Sequence, residues 1–229
     1  MKKLLRYFTL SEKVLWSSSV ALILLSFVVF DRENYFNLAS SLIGITSLIF
    51  CAKGNPIGQV MMIVFCIVYG IISYSFSYWG EMITYVFMSL PMAVISLISW
   101  KKNPYKDNKD MVAVRRLCTC DIWYMLLYSF FVSVIFYFIL RYLNTANLYV
   151  STFSITTSFA AVYLTSKRSP YYAIAYAIND IVLIVLWTLA TLEDLKYVSV
   201  IVCFVAFLVN DIYGYINWKR MEKFQLDNQ

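Results

Sequence analysis

Two Asn-Asp pairs, Asn179-Asp180 and Asn210-Asp211, are the residues of this sequence whose types and placing could do chemistry, because each sits inside a long apolar run. The first lies in YAIAYAINDIVLIVLWTLATLEDL and the second in VSVIVCFVAFLVNDIYGYINW. A charged side chain at mid-bilayer costs about 2.5–3.5 kcal/mol on insertion scales, so such groups must face protein, water or a partner. An amide offers paired donor and acceptor groups, and a carboxylate accepts hydroxyl hydrogens or attracts a cation. Two readings stay open for these four residues: a solute or ion cavity, or a polar network that joins helices.

Helical spacing identifies their neighbours. Asp180 and Trp187 lie two turns apart on one face, with Ile184 between them, and Asn210, Tyr213, Gly214 and Asn217 form an inward stripe on the last helix. Gln59, Tyr69, Ser73 and Tyr74, then Tyr85, Ser89 and Ser96, are the polar positions of two earlier apolar runs. The hydroxyls of STFSITTS (151–158) can bond their own helix or glue helices together. The candidate binding set is therefore Asn179, Asp180, Trp187, Asn210, Asp211, Tyr213, Gln59, Tyr69 and Tyr85. An indole and several phenols stack a flat ring, so the set suits a small, planar, hydroxyl-bearing and positively charged solute. Nothing cradles phosphate, since there is no Gly-rich loop and no cation within the apolar runs.

Other chemistries lack their parts. There is no histidine, and Cys118-x-Cys120 has no second cysteine pair, so no metal site and no cofactor are expected. All five cysteines read as small packing residues. An integral-membrane enzyme acting on a lipid or isoprenoid head group would need a metal or nucleophile constellation, and the chain has neither an Asp-x-x-Asp on a helix nor a Gly-x-Ser-x-Gly turn. A scaffold that anchors a partner would tolerate Asp180→Ala and Asp211→Ala.

The elements that must position these groups follow from composition. The sequence is 61% hydrophobic and 14% charged, against about a quarter charged for a soluble domain, which places it in a lipid bilayer. Its net charge of +6 is scattered in short clusters between apolar runs and not gathered as a nucleic-acid surface. A membrane crossing takes about 20 helical residues. Eight segments approach that length: Leu15–Phe30, Leu38–Ala52, Ile57–Tyr78, Met82–Trp100, Ile122–Leu140, Leu148–Thr165, Tyr171–Leu192 and Tyr197–Trp218. The first two are short and draw in flanking residues such as Leu10 or Phe36. The N-terminal positives and apolar run have no small-x-small cleavage site after them, so the run reads as a retained helix.

With the N-terminus inside, every Lys and Arg except Arg32, Arg141 and Lys196 falls on the cytoplasmic side, as the positive-inside rule demands. Both termini are then cytoplasmic, in a bacterial-type inner membrane. Trp16, Trp79, Trp100, Trp123 and Trp218 fall at segment ends, where an aromatic belt would sit. Pro91 lies well inside its segment, where it would free a carbonyl and bend the helix, as a hinge or as plain packing.

Sliding 39–102 over 153–220 superposes CAKGNP (51–56) on TSKRSP (165–170) and ISWKK (98–102) on INWKR (216–220). Each unit has three apolar runs, with one helix between the units, so both units point the same way. The expected fold is all-α integral membrane: eight transmembrane helices, an N-terminal extra helix plus a parallel 3+1+3 repeat of three-helix bundles, with a site between halves near the midplane. The expected divisions are 1–36, N-terminal segment and extra helix; 37–102, first repeat; 103–146, basic loop and linking helix; 147–220, second repeat; and 221–229, tail. The partners are a small-molecule vitamin or nucleoside and the lipid bilayer, with no nucleic acid; homo-oligomerisation stays open.

The chain resembles the PnuC family of vitamin transporters over residues 37–220. The motifs that carry the resemblance are AKGNPIG (52–58), YWGEM (78–82) and, most specifically, NDIYGYINWKR (210–220). The resemblance implies a fold similar to that of the SWEET sugar transporters in the opposite membrane orientation. It also implies import of nicotinamide riboside by facilitated diffusion, with cytoplasmic phosphorylation trapping the product for NAD biosynthesis. Family members often carry Trp-x-x-x-Asn near the seventh segment's site, where this chain has Asn179 and Leu183, with the nearest tryptophan at Trp187. The first unit's closing helix, PMAVISLISW (91–100), lacks the Tyr-Gly element of the second. Relatives move thiamine or nucleosides, which keeps those substrates as alternatives.

Overall fold

In the computed structural model, which describes residues 7–75, 79–106, 108–192 and 194–228, apolar runs become helices and the polar stretches become their turns. The helices are α1 (Leu10–Phe30), α2 (Tyr35–Ala52), α3 (Pro56–Ser75), α4 (Trp79–Ile83), α5 (Leu90–Lys102), α6 (Thr119–Tyr142), α7 (Leu148–Ser166), α8 (Tyr171–Thr191) and α9 (Val198–Asp227). A π-helical turn, Thr84–Ser89, joins α4 to α5. A short hairpin, β1 (Pro104–Tyr105) and β2 (Asn108–Val112), precedes α6. Among the described residues, seven helical stretches are long and apolar enough to cross a bilayer, and α3 contributes a shorter apolar run, Pro56–Ile71. As expected, α1 reaches back to Leu10 and α2 takes in Phe36.

Local chemistry sets the ends. Thr9 and Glu12 form a reciprocal capping box at the start of α1, and Cys118 and Asp121 form one at the start of α6. That role brings Cys118 to the surface beside exposed Cys120, so only Cys51, Cys66 and Cys203 are the buried packing residues expected of all five cysteines. Pro56 and Pro170 stand at helix starts, where a missing N–H costs little. Before each of them the chain turns through the left-handed region, at Gly54 (φ 66°) and Arg168 (φ 58°). The next residues, Asn55 and Ser169, then turn their side-chain oxygens to the N–H of Ile57 and Tyr171.

Packing follows the expected units. Within each unit the first helix packs on the second and the second on the third: α2 on α3 and α3 on α5, then α7 on α8 and α8 on α9. Between units, α2 packs on α9 and α5 on α7. α6 packs chiefly on α7 and leaves a broad apolar surface exposed, including Trp123, Phe130 and Phe138, as a lipid-facing link requires. α1 covers the outer face of α2 and α9.

The basic end is closed by polar bonds across the units. Trp100 at the end of α5 donates its indole N–H to the Thr165 carbonyl (2.9 Å), and Trp218 on α9 donates to the Cys51 carbonyl (2.8 Å). Beside them, Ser99 donates to the Ser166 carbonyl (2.7 Å) and Asn217 to the Ala52 carbonyl (2.8 Å). These four acceptors lie in the last turns of α7 and α2, where carbonyls lack helical partners. Trp100 and Trp218 are both 0% exposed, so they are interior residues and not the belt residues their place at segment ends suggests. Trp16 and Trp123 remain exposed.

The segment after β2 lies across both turns, with Val112 N–H bonded to the Gly54 carbonyl and Arg115 N–H to the Arg168 carbonyl. The tail expected at 221–229 continues as helix, and Gln225 of α9 grips this segment by accepting from Val114 N–H and donating to the Val112 carbonyl. Buried Asp121 holds Arg115 (2.8 Å) and Lys167 (3.0 Å), and this bond raises the Lys167 ammonium above its ordinary value.

Candidate functional site

A cavity of about 440 Å³ lies between the two units toward the lysine-poor end, where the 143–147 turn lines its mouth. It is within the range of small-molecule sites, roughly 300–1,000 Å³. Asn179, Leu183 and Trp187 project into it from successive turns of α8. The Asn179 Oδ1 accepts from Thr157 Oγ1 (2.8 Å), which fixes the amide against α7. Trp187 packs against Tyr197 with ring centroids 5.3 Å apart, and both line the cavity. Opposite them, Tyr69 of α3 and Tyr85 of the π turn lie 4.5 Å apart, centroid to centroid, and line it too.

The π turn explains why Tyr85 is there. Pro91 has no N–H to give to the carbonyl one turn earlier. The helix widens instead, with Leu90 N–H reaching back five residues to the Tyr85 carbonyl. Such a widened turn inserts one residue and re-aims those around it. Thr84, Tyr85 and Ser89 all face the cavity. Pro91 thus acts through this turn.

Below the large cavity lies a second, of about 80 Å³, and Tyr85, Ser89, Ser158, Asn179, Leu183 and Phe204 line both. Its walls include Gln59, Asp180 and Asp211. Asp180 and Asp211 are 3% and 4% exposed and share a hydrogen bond. Gln59 donates to the Cys51 sulfur (3.3 Å). Neither cavity is lined by Lys or Arg among the described residues.

Of the candidate set, Asn179, Trp187, Tyr69 and Tyr85 meet in the large cavity, and Gln59, Asp180 and Asp211 in the small one. Asn210 and Tyr213 line neither. α1 covers their face: Asn210 donates to Ser19 Oγ (2.9 Å), and Tyr213 donates to the Glu12 carboxylate (3.1 Å), which also pairs with Lys53 (3.0 Å). The inward stripe on α9 is real, but at these two positions it meets a helix and not a void. Tyr197 takes the stacking place expected of Tyr213. The STFSITTS run does both of its expected jobs, since Thr156 bonds Ser133 of α6 (2.6 Å) while Ser151, Ser154 and Ser158 line the large cavity.

A multi-pass helical membrane protein with an aromatic, amide-bearing cavity between two helix units is built as a solute transporter. Residues 34–220 match the sequence profile described as nicotinamide mononucleotide transporter, and the chain belongs to that family. It is 22% identical over 199 residues to the nicotinamide riboside transporter PnuC of Neisseria mucosa, spanning 85% of this chain and 76% of that protein. To the protein of the same description from Haemophilus influenzae it is 21% identical over 192 residues, spanning 83% and 82%. The fold is similar to that in the crystal structure of the vitamin B3 transporter PnuC, with a TM-score of 0.79 and 21% identity over 95% of this chain and 94% of that one.

Proposed function

We infer that this chain imports nicotinamide riboside across a bacterial-type plasma membrane. The observation that carries this reading is the make-up of the two stacked cavities: aromatic rings on facing walls, a fixed amide at Asn179, carboxyls at the floor and no cation among the described lining residues. The riboside offers a flat, positively charged carboxamide ring and sugar hydroxyls. Rings stack on rings, the amide pairs with the carboxamide, and the carboxyls favour the positive charge. The mononucleotide differs by a phosphate, which an acidic, cation-free pocket would repel and leave unpaired. That contrast favours the riboside over the phosphorylated form.

The excess of Lys and Arg at the closed end supports a cytoplasmic location for that end and for both termini, with the large cavity open to the outside. Movement is downhill, by facilitated diffusion, and phosphorylation in the cytoplasm traps the product. Proteoliposomes holding the purified chain test this with labelled riboside and mononucleotide. Saturable riboside flux well above that of mononucleotide supports it. Equal flux of the two, or no flux above empty vesicles with riboside, thiamine and deoxynucleosides alike, overturns it.

A further inference from the structure

The floor of the small cavity holds two carboxyls for which the transport reading supplies no charge balance. Asp180 and Asp211 are bonded to each other, which requires a proton on one of them, because two carboxylates offer only acceptors. The titratable groups around them are Cys51 of α2, Cys66 of α3, Tyr172 and Tyr176 of α8, and Cys203 of α9, all neutral at ordinary pH. None can serve as a counter-cation.

A second observation points to an occupant. Ser96 of α5, 1% exposed, lines the same small cavity, and its hydroxyl has no hydrogen-bond partner; nor has Asp180 Oδ2. In the register that pairs Pro56 with Pro170 and Trp100 with Trp218, the first unit has Cys66 and Ala93 where the second has Asp180 and Asp211. All four line this cavity. The carboxyls are thus confined to one unit, and the cavity keeps unsatisfied oxygens. Leaving buried polar groups unpaired costs about 1–3 kcal/mol each, which a bound ion or charged solute would offset.

We propose that Asp180 and Asp211 form a one-proton site that gives up its proton to water in the vestibule when a cationic solute enters, so that solute and proton exchange one for one. The proposal rests on the riboside reading for its solute and refines the downhill mechanism. The riboside gradient still drives import at equal pH, while a proton moves the other way and the exchange carries no net charge. The buried pair cannot readily hold two negative charges, since like carboxylates side by side do not both ionise. A cation arriving above them supplies the compensation that the proton gave.

The purified full chain in weakly buffered detergent, with a pH-indicating dye, tests the exchange. Riboside binding is expected to release about one proton per solute bound. The uncharged dihydronicotinamide riboside is expected to release none. Asp180→Asn and Asp211→Asn keep the shape of the site, and in each the protons released per riboside bound fall to about zero. Binding by the wild type without proton release, or equal release from the Asn variants, overturns the proposal. An infrared pH titration without solute reads the site independently of the riboside: a protonated-carboxyl band lost in both Asn variants supports it, and its absence from the wild type overturns it. If the band is present but riboside does not bind, the proton site stands and the assignment of the solute falls.

Discussion

Trp100 and Trp218 lie 5.3 Å apart, centroid to centroid, each donating its indole N–H to a carbonyl at the end of the other unit's first helix. The two tryptophans occupy matching positions in the sequence units, and their acceptors, Thr165 and Cys51, match as well. Ser99 and Asn217 repeat the relationship one residue earlier. The contact between units at the basic end is therefore reciprocal: what one unit gives, it also receives. Bonds of this kind are made or broken together when one rigid half rotates on the other, as gates that close one side of a carrier require.

Removing one indole N–H tests the clamp. Trp218→Phe keeps most of the ring but leaves the Cys51 carbonyl buried without its donor, at a cost of about 1–3 kcal/mol. The melting temperature in detergent is expected to fall. In a protein whose other four cysteines are replaced, the buried Cys51 thiol is expected to react faster with a maleimide. Wild-type values for both would show that the bond does not hold the end closed.

The cavity assignment separates residues that sequence spacing groups together. Asn179→Ala removes the amide and strands Thr157, so riboside affinity should fall about tenfold or more. Trp187→Ala loses a stacking partner worth about 0.5–1.5 kcal/mol, or roughly two- to twelvefold, while Trp187→Phe retains much of it. Asn210→Ala and Tyr213→Phe, whose side chains bond α1, should lower thermal stability and leave affinity unchanged. Calorimetric titration with riboside across these five variants checks the division.

Much of this was readable before any coordinates. Apolar runs fix the helices because their length must match the bilayer, and Asp180 and Asp211 stand out because lipid cannot solvate them. Periodicity also shows that Asn210 and Tyr213 face inward, but it cannot distinguish a neighbouring helix from a void, and α1 fills the space there. Trp100 and Trp218 fail for a similar reason, since a residue at a segment end can face lipid or the opposite unit. Tyr197 was missed because it sits in a turn beyond α8, where helical spacing from Trp187 no longer applies.

The two left-handed turn residues predict opposite responses. At Gly54 an added Cβ would meet Met221 Cε at 2.7 Å and Val112 Cγ1 at 3.2 Å, in a backbone conformation that L side chains avoid. Gly54→Ala should therefore destabilise the chain by about 1–2 kcal/mol from the backbone alone. The matching Arg168 already bears that strain, so Arg168→Gly relieves it and gives up only a long side-chain contact to the Ala113 carbonyl (3.5 Å). Melting in detergent should show a clear loss for the first and little or none for the second.

The Pro91 substitution connects backbone chemistry to the site most directly. Restoring an N–H at position 91 lets the helix bond to the Phe87 carbonyl in ordinary α register, which removes the reason for the widened turn. A helix interior gains up to about 3 kcal/mol when proline is replaced by alanine, so Pro91→Ala is expected to melt at a higher temperature. Losing the extra residue of the turn would rotate Tyr85 and Thr84 by about 100° about the helix axis, away from Tyr69 and the cavity. Riboside affinity should fall as stability rises. That opposition identifies strain kept for function, whereas a variant that gains stability at unchanged affinity would show that the turn does not aim Tyr85.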